Sequence, residues 1–134
     1  MARRSQHGDT LDLMGAKDMP QEVFEQWRSI PLSAHAPLAD VVREAKPIFL
    51  ASPNEWRERY PELLPLLVET GHQAQMVAPL IVAGRCVGAM GVAFREPRSF
   101  TDEERDHLMS MAGQCAVAIE RARLYEAEKD ARTA

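Results

Sequence analysis

The sequence is poor in the residues that announce chemistry. It has two cysteines, Cys86 and Cys115, each inside an apolar segment. That is no disulfide framework, and with no secretory-signal pattern it points to a reducing cytoplasm. No apolar run approaches the roughly 18–20 residues that span a bilayer, so no direct membrane insertion is expected. Excess positive charge is missing too. The net charge of −4 gives no electrostatic reason for a nucleic acid partner or an anionic lipid surface. His7, His35, His72 and His107 are scattered without zinc-ligand spacing, so no metal site is read. There is no glycine-rich phosphate loop, no G-x-S-x-G and no nucleophile–base pairing. The chain therefore reads as a non-enzyme. It has no internal repeat and no low-complexity tract.

What is present is the make-up of one ordinary globular domain: 134 residues, 46% hydrophobic and 27% charged. Residues 1–8 have no apolar period and read as a disordered or boundary segment. Thr10–Met14 alternates, with Leu11 and Leu13 on one face, and reads as a short strand. Asp18 is a candidate N-cap for a helix over 20–29, in which Val23, Phe24, Trp27 and Ile30 recur at helical spacing. Pro37 starts a second short helix with Leu38, Val41 and Val42 inward, ended by Lys46-Pro47. Pro47–Leu50 reads as a strand. Ser52-Pro53-Asn54-Glu55 matches a capping box opening a helix that carries Trp56 and Tyr60 on one face. Pro61 interrupts it. Residues 62–70 are either two short helical pieces or one bent helix, stopped at Gly71.

A hairpin follows. Met76, Ala78, Leu80 and Val82 share one side of its first strand, and the chain turns at Ala83-Gly84-Arg85. On the return strand Cys86, Met90, Val92 and Phe94 share a side, with Val87, Ala89, Gly91 and Ala93 opposite. Neither face is polar, so the pair should be covered on both sides. Phe100–Glu104 opens a helix that continues to about Lys129, with an unusually wide apolar surface. The order of elements predicts an α+β domain. It would have a central, mainly antiparallel sheet, helices on both faces and a long C-terminal helix, spanning 9–128 before a frayed tail or linker at 129–134.

The run Pro79–Val92 resembles the hairpin of GAF domains, PAS-like sensor modules of signalling proteins, where it reads roughly P-L-φ-φ-x-G-x-φ-φ-G with φ hydrophobic. The likeness continues through Phe100–Glu104 and Ala112–Tyr125. Upstream it takes in Met19-Pro20, Ile30-Pro31-Leu32 and Pro37–Arg43. It covers about residues 10–128. The family's usual opening helix and first strand have no counterpart in it, so the chain looks N-terminally truncated. The resemblance implies a non-catalytic sensory or regulatory domain. It would bind an unidentified small molecule between the sheet and residues 20–70, and signal through the last helix to an output domain such as a histidine kinase or phosphatase.

Candidate residues follow from that. Trp27, Leu50, Trp56, Tyr60, Met76, Ala78 and Leu80 are the candidate pocket, although the aromatic trio also reads as plain packing. Leu108, Met111, Cys115, Ala118, Ala122 and Tyr125 step by threes and fours, a candidate seam for a homodimer. A ligand-free dimerisation module is the alternative function. Cyclic-nucleotide-binding relatives carry Asn-Lys followed by Phe-x-x-x-Asp-Glu. Here Phe94-Arg95 stands for Asn-Lys, and Phe100 precedes Glu104-Arg105. Arg95 and Glu104 are left able to pair, but the asparagine is lost. Neither cysteine adjoins a histidine, as a bilin site would require, and residues 40–75 lack the cysteine cluster of the family's methionine sulfoxide reductases. His72 is a loop histidine that reads as solvated, so no metal, haem or bilin is expected.

Overall fold

The computed structural model describes residues 1–5, 9–14 and 21–133. Its strands are β1 (Ala2–Arg4), β2 (Thr10–Leu13), β3 (Ser29–Pro31), β4 (Ile48–Leu50), β5 (Ala74–Val82) and β6 (Arg85–Phe94). Its helices are α1 (Gln21–Gln26), α2 (Pro37–Glu44), α3 (Pro53–Arg59), α4 (Leu64–Thr70) and α5 (Asp102–Thr133), with a 3₁₀ turn at Pro61–Leu63. The strands form one sheet in the order β3-β2-β1-β6-β5-β4, and every neighbouring pair is antiparallel.

The β5–β6 hairpin is the long element of the sheet. Ala83 and Gly84 turn it with φ of 51° and 75°, the two left-handed positions of a type I′ turn, whose twist matches that of the strands. A bulge interrupts the ladder where Leu80 pairs with Gly88 but Ile81 pairs with Cys86. The extra residue is Val87, and it reverses the alternation expected from sequence. Val87 joins Met90, Val92 and Phe94 on the α5 side, while Cys86 turns to the opposite side with Ala89.

Two cores flank the sheet. On one side Leu108, Ala112, Ala116 and Ile119 of α5 pack on Ala74, Met76, Ala78 and Leu80. Alanine on both surfaces lets the helix approach the strands closely. On the other side Val41, Val42, Trp56, Tyr60, Leu63 and Leu67 cover Leu11, Ile48, Leu50, Val77 and Ala89. Burying a leucine such as Leu80 or Leu108 stabilises the fold by about 1.5–3 kcal/mol.

Four expectations about the elements change. Residues 2–4 are not a frayed boundary: β1 lies inside the sheet between β2 and β6, with Ala2 fully buried. It fills the place of the first strand that the sequence seemed to lack. The helix at 20–29 is only α1, because Ile30 is taken by β3, where it pairs with Leu11; Asp18 lies outside the described residues. At Ser52 the hydroxyl makes no cap hydrogen bond, while the Glu55 carboxylate accepts from the Ala51 N–H, so half of the capping box forms, displaced by one residue. Residues 129–133 continue α5 rather than fray. The interruption at Pro61 and the stop at Gly71, φ 74°, stand as read.

Candidate functional site

Two concavities stand out among the described residues. The first lies under the helical layer, between α2, α3 and α4 and the sheet. Its volume is about 100 Å³, and it is lined by Leu13, Trp27, Ile30, Ala36, Pro37, Leu38, Trp56, Leu63, Leu66, Leu67, Thr70, His72 and Gln75. Among the described residues the lining holds no Asp, Glu, Lys or Arg, and His72 is its titratable group. Trp56 is buried, and its indole Nε1 is a buried donor with no hydrogen-bond partner among the described residues. Such an orphan costs about 1–3 kcal/mol of desolvation that nothing returns.

A polar tie holds the roof of this cavity. The buried Tyr60 phenol donates to Asp40 Oδ2 at 2.6 Å. Arg43 pairs with the other carboxylate oxygen and donates to the Ala34 carbonyl at 2.8 Å. The His35 ring lies on the Tyr60 ring, centroids 4.7 Å apart, and its Nε2 is 2.6 Å from the Arg59 carbonyl. A carbonyl only accepts, so Nε2 carries the hydrogen. Burial pushes the Tyr60 phenol above its ordinary pKa, with the neighbouring Arg59 pulling the other way. It stays a neutral donor.

The second concavity is a groove of about 610 Å³ between β1, the start of β6 and the second half of α5. Arg3, Arg4, Arg85 and Arg123 line it together with Asp12, Glu120 and Glu126. Its charges are largely matched: Arg123 forks onto Glu120 at 2.5 and 3.1 Å, and Arg3 lies 3.7 Å from Glu126.

The expected pocket is only partly assembled. Trp27 and Trp56 line the cavity. Leu50 and Tyr60 belong to the core beside it, both almost wholly buried, and do not line it. Met76, Ala78 and Leu80 face α5 on the opposite side of the sheet. Along the proposed seam Leu108 is fully buried against the sheet and is spent within the chain. Met111 and Cys115 are half-buried there, whereas Ala118, Ala122 and Tyr125 are exposed. The Arg95–Glu104 pair does not form: Glu104 pairs with Arg98 and caps α5 with Thr101.

The sequence reading missed Asp40 and the α4 residues of the lining. Asp40 had a signal: an acid among Leu38, Val41 and Val42 on an inward helix face needs a buried partner. His72 does line the cavity. The two free cysteines lie on opposite sides of the sheet. Burial pushes the Cys86 thiol above its usual pKa, which disfavours the reactive thiolate. No helix among the described residues is long and apolar enough to cross a membrane.

Solved structures share this architecture. One is described as a domain of a two-component sensor histidine kinase protein from Sinorhizobium meliloti. It superposes with TM-score 0.73 at 22% identity, over 96% of this chain and 81% of that one. The GAF domain of a phosphoenolpyruvate-protein phosphotransferase from Coxiella burnetii gives 0.76 at 20%, over 94% and 73%. The free methionine-R-sulfoxide reductase of Neisseria meningitidis, in complex with its substrate, gives 0.66 at 14%, over 92% and 67%. No curated protein sequence matches. The family profile described as GAF domain matches residues 2–120, a span that takes in β1, the hairpin and the sheet-bound part of α5, and the chain belongs to the GAF domain family.

Proposed function

We propose that this GAF domain is a non-catalytic sensory or regulatory module, cytoplasmic, that binds a small molecule in the cavity beneath α2, α3 and α4. The observation that carries the reading is the orphaned Trp56 indole in the wall of a mostly apolar cavity. A folded chain that leaves a buried donor unpaired gains when a ligand supplies the acceptor. Ligand binding would act by population shift, which requires different affinity for two states of the domain. The output would pass through α5 to a partner domain such as a histidine kinase or phosphatase. The sensor kinase and phosphotransferase origins of similar structures support that kind of partner.

Sulfoxide reduction is the enzymatic alternative raised by fold. It needs a reactive thiol at the ligand, and neither Cys86 nor Cys115 lines the cavity, which favours the regulatory reading. A second, compatible reading is a homodimer through α5. It draws support from Leu124 and Tyr125, 54% and 67% exposed on a helix that continues past its last sheet-buried residue, Ile119.

Native mass spectrometry of protein purified from its own host tests the binding reading. A small molecule should be retained, and lost in Trp56→Ala. No retained molecule, together with no thermal shift across a metabolite panel, overturns it.

A further inference from the structure

We infer the class of ligand this cavity takes: a neutral, compact, mostly apolar molecule of about four or five non-hydrogen atoms with one hydrogen-bond acceptor, which the Trp56 indole N–H meets. The inference rests on the proposed binding function and narrows it. Size comes from the volume. An apolar cavity of about 150 Å³ accommodates benzene in another protein, so the roughly 100 Å³ here takes a smaller body, and a cyclic nucleotide is several times too large.

Neutrality comes from the lining. Among the described residues the lining offers no Asp, Glu, Lys or Arg and only the His72 imidazole, so an ionised group brought into it would lose hydration with at most that one ring to answer it. That disfavours carboxylates, phosphates and free amino acids alike. The acceptor requirement comes from Trp56. The Thr70 hydroxyl is already engaged, donating to the Leu66 carbonyl at 2.9 Å and accepting from the His72 N–H at 3.3 Å. The Trp56 N–H has no such partner. It is wholly buried, so the indole must turn as the acceptor arrives, and binding reorients α3's one buried side chain.

Three probes of one branched shape and four non-hydrogen atoms separate these requirements: acetone (neutral, acceptor), 2-methylpropene (neutral, no acceptor) and acetate (anionic). Each is titrated into the full chain while the indole N–H resonances of Trp27 and Trp56 are followed, assigned with Trp27→Phe and Trp56→Phe. The ketone should bind about three- to tenfold tighter than the alkene, the increment of one neutral hydrogen bond, and move the Trp56 N–H downfield. Acetate should bind weakest, and Trp56→Phe should erase the preference for ketone over alkene. Equal binding of ketone and alkene, tighter binding of acetate, or a shift of both indoles by cyclic AMP would overturn the assigned class while leaving the cavity a binding site. If no probe moves either indole, the binding reading falls as well. The ketone-to-alkene ratio is measured on the wild-type chain, so the test survives a Trp56 variant that fails to fold.

Discussion

Tyr60 and Asp40, twenty positions apart, meet in a buried 2.6 Å hydrogen bond that ties α3 to α2. Both helices form walls of the cavity, so the bond controls how far its roof can open. Tyr60→Phe should cost about 1–3 kcal/mol, because the Asp40 carboxylate stays buried with Arg43 on its other oxygen and the His35 ring 3.8 Å away. The protein's two tryptophans, Trp27 and Trp56, both line the cavity. Acrylamide quenching of their fluorescence should therefore rise in the variant. A melting temperature and quenching constant equal to wild type would remove the tie from the account.

Gly88 is held by a close approach of backbone. A Cβ there would come within 2.2 Å of the Ala2 carbonyl oxygen, where β1 pairs with β6. Neither strand is free to yield, since β1 is paired on both sides. Gly88→Ala should cost about 2–4 kcal/mol by overpacking and a lost ladder, read as a fall in the urea midpoint. Gly84→Ala, with nothing within 4 Å of its Cβ, should cost less, through its left-handed φ alone. A reversed ranking would contradict this reading of β1.

The start of α5 carries a complete capping box. Thr101 Oγ1 accepts from the Glu104 N–H at 3.1 Å, and Glu104 Oε1 accepts from the Thr101 N–H at 3.2 Å. Thr101→Ala should cost about 1 kcal/mol. The Thr101 N–H first, and then the nearby Arg98 guanidinium, hold the Glu104 carboxyl below its usual pKa. Its contribution is therefore present above the unfolded carboxyl's value and disappears as pH falls through the lower folded value. Melting temperatures of wild type and Glu104→Gln should differ near neutrality and converge toward pH 3. A constant gap would mean the charge is not what matters.

If α5 pairs with a second copy, Ala118→Glu and Tyr125→Glu should each give a monomer by light scattering, since both positions are exposed and make no core contact. An unchanged dimer excludes this face, and a monomeric wild type removes the dimer reading altogether.

The frame of this fold was legible because its signals are long. The hairpin shows unbroken apolar runs, Met76–Val82 and Cys86–Phe94, joined by a short turn, and α5 shows its apolar surface over several turns. The failures are short or ambiguous by parity. β1 has three residues, of which only Ala2 is apolar, so no period exists to read. Ile30 lies three residues after Trp27 and suits a helix, but pairing with Leu11 outweighed that spacing. Period two says that Met76, Ala78 and Leu80 share a face, not which layer covers it. The alanines of α5 opposite Ala74 and Ala78 were the available clue. Val87 had no signal, because a bulge is set by the ladder around it. Of the cavity, the two tryptophans were legible as aromatics in the helical layer, whereas Leu63, Leu66, Leu67 and Thr70 follow the break at Pro61, with Pro65 in the first turn of α4.

The interior position of β1 also dictates an order of assembly. Arg3 pairs with Gly88, so β1, made before the hairpin, cannot take its place until the return arm has been made. Closing that span costs about 4 kcal/mol in chain entropy by the logarithmic loop law, set against a strand of three residues. The nascent sheet therefore carries an open edge on β6 until late in synthesis. Loss of Ala2–Arg4 would leave this domain with two unpaired strand edges in its middle rather than with a shorter tail.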